Sequence, residues 1–117
     1  MHQDPKVAEK IEELQLLEHN IQNIAGQKQA TQIELNEIET ASEELEKSQD
    51  NEVFKISGNI MLKSNPKELL SELKEKKKLA TLRLESVQKQ EKRFEDRANE
   101  LKDEVQKIVK EQSAKKE

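Results

Sequence analysis

The chain has 117 residues, of which 32% are hydrophobic and 39% charged, with a net charge of −4 and only Phe54 and Phe94 as aromatics. That apolar fraction excludes a large globular core and leaves either disorder or an elongated helical fold. Cysteine is absent, which excludes a disulfide framework and thiol chemistry and fits a reducing, cytoplasmic setting.

Leucine and isoleucine recur on a helical period, so the elongated helix is the expected state. The first helix is placed at residues 5–48. Asp4 and Pro5 supply an N-cap and a first-turn proline. Leu14, Leu17, Ile21, Ile24, Lys28, Thr31, Leu35, Ile38, Ser42 and Leu45 then step by three and four, the stripe of a coiled coil. Gly26 lies inside it at a cost of roughly 1 kcal/mol relative to alanine. The run "SQDNE" (Ser48 to Glu52) ends the helix with side chains that compete for its backbone.

Residues 52–63 break the pattern. Phe54 and Ile56 alternate with Lys55, and Ile60 and Leu62 with Met61, around Ser57-Gly58-Asn59. This is the signature of a β-hairpin. A two-residue Gly58-Asn59 turn is the commoner loop, but it pairs Phe54 with Lys63 and mixes the faces. A three-residue loop sets Ile56 against Ile60 and Phe54 against Leu62, gathers them on one apolar face, and is the expected register. Gly58 or Asn59 then takes a positive φ. Such a ribbon is marginal alone, so its missing strands are expected from other subunits.

A second helix is placed at residues 66–112, with 113–117 as a frayed tail. Asn65 is its N-cap, Pro66 its first residue and Glu68 the returning member of a capping box. Leu70, Leu73, Lys77, Ala80, Leu84, Val87, Glu91, Phe94, Ala98, Leu101, Val105 and Ile108 form its stripe. The two narrow seams imply an antiparallel intramolecular pair, each helix roughly 60–70 Å long. Folding at the hairpin brings Lys28 and Glu91 to similar height, where they either specify register as an ion pair or snorkel to solvent. Val7, Ile11 and Leu14 would then meet Leu101, Val105 and Ile108, with Val109 adjacent to the seam. These apolar positions at the helix ends either close the coiled coil or open to offer hydrophobic surface.

No catalytic, metal or phosphate-binding pattern is present. His2 and His19 do not form a helical i, i+4 pair, and no glycine-rich loop, serine nucleophile motif or H-E-x-x-H occurs. No cofactor or enzymatic activity is expected. Lys76, Lys77 and Lys78 are flanked by glutamates without interleaved aromatics, which reads as a solvated helix face rather than a nucleic-acid contact. No apolar run has the length of a membrane span, and "MHQDPKVAEK" lacks the apolar core and cleavage site of a signal peptide, so no membrane partner is expected.

With "VFKISGNIMLK" (Val53 to Lys63) between the two helices, "QKQATQIELNE" (Gln27 to Glu37) in the first and "LKEKKKLATLRLESVQKQEKRFEDRANEL" (Leu73 to Leu101) in the second, nearly the whole chain resembles the β-type subunit of the prefoldin family, especially its archaeal form. A single hairpin marks the β type. "SNPKELL" and the lysine run after the hairpin are more polar than that resemblance predicts.

The resemblance implies an ATP-independent holdase chaperone. It implies a hexamer of two α-type and four β-type subunits, whose hairpins close a β-barrel platform. Coiled-coil arms would hold unfolded client proteins at their tips and pass them to a group II chaperonin. Val53, Phe54, Ile56, Gly58, Ile60 and Leu62 fall on the implied platform; Val7, Ile11, Leu14, Leu101, Val105, Ile108 and Val109 fall on the implied tip. The alternative is a structural coiled-coil adaptor that oligomerises through the hairpin and uses its helices as spacers.

Overall fold

A computed structural model describes residues 4–115. The element order is α1 (Pro5–Lys47), β1 (Val53–Ser57), β2 (Ile60–Ser64) and α2 (Pro66–Lys115). Among the described residues no helix is long and apolar enough to cross a membrane.

The helix boundaries follow from local hydrogen bonding. Asp4 Oδ1 accepts the backbone N–H of Lys6 at 2.9 Å, while the Asp4 carbonyl accepts that of Ala8 at 3.0 Å. At the other end of α1, the Ser48 hydroxyl accepts the Asp50 N–H at 3.3 Å and draws the backbone out of the helix. Asn65 Oδ1 accepts the Glu68 N–H at 2.8 Å, the forward half of the expected capping box. The expected frayed tail is corrected in part: α2 continues through Lys115, because nothing after Ile108 breaks a helix. Residues 116–117 of that tail, and His2, lie outside the described residues.

The chain divides into two compact units. One comprises Met1–Lys28 with Val87–Glu117, and the other Gln29–Ser86. In the first, which carries both helix ends, Leu17, Ala98 and Leu101 form a buried cluster, with Leu14, Ile21 and Phe94 packed on it. Leu101 is fully buried. Lys28 Nζ donates to Glu91 Oε1 at 3.2 Å, so these seam positions form an ion pair rather than both turning to solvent. The pair fixes an antiparallel register.

In the unit of Gln29–Ser86, Thr31, Ile38 and Ala80 are buried along the seam, and Arg83 donates to Glu34 across it at 3.1 Å. Lys77, placed on the seam by its spacing, is exposed instead. A long ammonium side chain reaches water more cheaply than it desolvates.

Gly26 is exposed, and a methyl group added there meets nothing within 4 Å. Gly26→Ala should therefore stabilise the helix pair by about 0.5–1 kcal/mol, read as a higher midpoint in denaturant unfolding.

Candidate assembly hairpin and helix-end surface

The hairpin register departs from the expected one. Val53 pairs with Ser64, Phe54 with Lys63, Lys55 with Leu62, Ile56 with Met61 and Ser57 with Ile60. The loop is thus the two-residue Gly58-Asn59 turn. Gly58 alone takes a positive φ, 61°, as the first central position of a type II′ turn requires. Asn59 keeps an ordinary backbone. Turn geometry, which must match the twist of the strands, outweighs the clustering of like side chains on one face.

Opposed residues share a face, so Phe54, Ile56, Met61 and Lys63 lie on one side, and Val53, Lys55, Ile60 and Leu62 on the other. The single wholly apolar face is therefore corrected to two mixed faces, Phe54, Ile56 and Met61 with Lys63 on one, and Val53, Ile60 and Leu62 with Lys55, Ser57 and Ser64 on the other. Met61 joins the Phe54 and Ile56 side, a placement hidden by the three-residue loop but signalled by the Gly-Asn dipeptide itself. Phe54, Ile56, Ile60, Met61 and Leu62 are all exposed, Ile56 most of all at 73%. Lys55 Nζ donates to Glu72 Oε2 of α2 at 2.7 Å and ties the ribbon to the start of that helix. The contact holds the Glu72 carboxyl below its ordinary range.

At the helix ends, Val7 and Leu101 are buried, while Ile11, Leu14, Val105 and Ile108 are half-buried. Val109 lies off the seam and is 51% exposed. Charged pairs flank this row. Lys10 donates to Glu104 at 2.6 Å, and Arg97 donates from Nε and a terminal nitrogen to both Glu13 oxygens at 3.0 and 3.3 Å, and to Glu100 at 3.1 Å. Gln112 donates to Asp4 at 3.1 Å.

The Lys10 ammonium holds the Glu104 carboxyl below its ordinary range. A carboxyl whose pKa is depressed on folding contributes stability above its unfolded pKa and loses it as pH falls through the folded value. The melting temperature should therefore drop on acidification through and below the ordinary carboxylate range. Glu104→Gln should flatten part of that drop in circular-dichroism melts taken from neutral to acid pH.

A family model described as Prefoldin subunit matches residues 8–112. Prefoldin subunit beta of Methanothrix thermoacetophila is 39% identical over 102 residues, 86% of this chain and 85% of that protein. Prefoldin subunit beta of Thermococcus onnurineus is 33% identical, over 87% of this chain and 89% of its own. The crystal structure of the prefoldin beta subunit from Thermococcus strain KS-1 superposes with a TM-score of 0.83 at 30% identity, covering 90% of this chain and 93% of that one.

Proposed function

The chain belongs to the prefoldin subunit family, whose members are chaperones, and from that premise we propose that it is a β-type subunit of a holdase. It assembles through its hairpin with α-type and further β-type subunits, two and four in the hexamer. It holds unfolded polypeptide at the helix ends without nucleotide hydrolysis and releases it to a group II chaperonin in the cytoplasm.

The observation that carries this reading is the hairpin, which leaves large apolar side chains open on both faces and, among the described residues, both backbone edges unpaired. A two-stranded ribbon of that kind is marginal in water. Strands from neighbouring subunits would supply both the missing edges and the missing cover. Val53, Phe54, Ile56, Ile60, Met61 and Leu62 line that platform, with Gly58 setting the turn.

At the helix ends, Val109 is open already, and Val7, Ile11, Leu14, Leu101, Val105 and Ile108 become available as the last turns separate. Each contributes only about 1.5–3 kcal/mol at full burial, so holding depends on several arms acting together while release stays possible.

Burial of Val7 and Leu101 favours a second reading, in which the ends merely close the helix pair and the protein is a structural adaptor. Light scattering of a chemically denatured protein diluted into the assembled complex separates the two. The holdase reading expects suppression of aggregation at near-stoichiometric complex; an unchanged scattering trace supports the adaptor.

A further inference from the structure

The burial of Val7 is unusual for its place. It is the third residue of α1, at the end of the helix pair, yet at 5% exposure it is covered as well as Ile24, at 4%, far from that end. A helix end with few neighbours ordinarily frays. α2 supplies the cover, because it runs on to Lys115, past the residue that meets Asp4.

The seam closes there on a polar layer. A step of three carries the α1 stripe from Val7 back to Asp4, and a step of four carries the α2 stripe from Ile108 to Gln112. These two side chains meet. Gln112 Nε2 donates to Asp4 Oδ2 at 3.1 Å, while Asp4 Oδ1 accepts the Lys6 N–H at 2.9 Å. One carboxylate thus caps α1 with one oxygen and grips α2 with the other. The next polar link inward is Lys10 to Glu104 at 2.6 Å. Beyond that pair, among the described residues, no other polar contact joins the helices.

We propose that Asp4 and Gln112 form a clasp that keeps the helix ends shut over Val7 and Ile108, and that its release admits an unfolded chain. The inference rests on the helix ends being the holding surface, and it explains why Val7 is buried at a surface that a client must reach. Release leaves the cap of α1 in place, so the ends part without α1 unwinding. The gate is light: one exposed hydrogen bond and the small apolar area outside Lys10 and Glu104 favour the shut state only modestly. An apolar client segment gives Val7 and Ile108 replacement cover, binds only the open state and draws the equilibrium toward it.

Two variants break the clasp without removing the cap. Gln112→Ala deletes the donor and leaves a good helix former in α2. Asp4→Ser keeps a capping oxygen on a side chain too short to reach Gln112. Each full-length variant, assembled with the α-type subunit, should quicken hydrogen exchange in residues 8–14 and 105–112 about fivefold. Each should tighten binding of reduced, carboxymethylated α-lactalbumin, a chain that stays unfolded, by about the same factor, because affinity scales with the open fraction. The double variant should add nothing to either effect, since both changes break one bond. Helix content and sedimentation should stay at the parent values; a merely structural contact would not tighten binding.

The converse variant places Asp4→Cys and Gln112→Cys in this cysteine-free chain and bridges them with a short cleavable bismaleimide. The bridged complex should lose binding and regain it on cleavage. Quicker exchange with unchanged binding, or a bridged complex that binds as well as the cleaved one, overturns the clasp and leaves capture at the helix ends standing. A parent complex that binds no unfolded chain overturns that capture and the clasp together.

Discussion

Aspartate placed at both Ile56 and Ile60 is expected to convert the assembled protein into free subunits that keep their helices. In the observed register these residues lie on opposite faces of the ribbon, Ile56 opposed to Met61 and Ile60 opposed to Ser57. The double variant therefore puts charge into whatever covers each face. Burying an unpaired carboxylate costs several kcal/mol, more than an interface built on a short ribbon can absorb. The helices are insulated from this change, because their packing rests on seam residues such as Leu17, Ile38, Ala80 and Leu101. Sedimentation should show the monomer while far-ultraviolet circular dichroism stays near the parent. A double variant that remains assembled at micromolar concentration contradicts the platform assignment. The single variants add a finer reading: if only one face is covered, only one of them dissociates the complex.

Removing about the first fifteen and last fifteen residues, roughly three to four helical turns at each end, should abolish aggregation suppression and leave the assembly intact. That cut removes Val7, Ile11, Leu14, Val105, Ile108 and Val109 but spares Leu17, Phe94, Ala98 and Leu101, so the buried cluster persists. It also spares the whole of Gln29–Ser86 with the hairpin. Sedimentation of the shortened complex should match an assembly of the reduced mass, while scattering of a denatured client rises as though no chaperone were present. Full suppression by a correctly assembled, shortened complex moves the binding surface away from the helix ends.

The parts of the fold that the sequence made legible are those governed by a repeating physical rule. The three-four spacing located the buried positions Leu17, Ile24, Thr31, Ile38, Val87, Ala98 and Leu101, because a narrow apolar stripe admits one partner geometry. Asp4 and Asn65 marked the helix starts because their side chains cap orphan N–H groups wherever the chain turns into a helix. Counting outward from Gly58 brought Lys28 and Glu91 together, and the ion pair forms.

The hairpin register was not legible in the same way. The side-chain pattern favoured gathering Phe54, Ile56, Ile60 and Leu62 on one face, a rule that holds only where a single face is buried. The Gly58-Asn59 turn carried the deciding information, because a positive φ at Gly58 alone closes a two-residue loop. Gln112 passed unremarked because the apolar stripe stops at Ile108, although the next step of four lands on it. Whether Val7 and Leu101 serve closure or capture is not written in their spacing, since either role demands an apolar residue there.

The central claim is that the assembled protein holds unfolded polypeptide at its helix ends, and site-specific photocrosslinking tests it most directly. A photoreactive side chain is placed in separate full-length preparations at Val109, exposed beside the seam, and at Ser71, exposed within the unit that carries the hairpin. Each preparation is assembled, mixed with a denatured client and irradiated. Client adducts are expected from Val109 and few or none from Ser71. Client captured at Ser71 but not at Val109 contradicts capture at the helix ends.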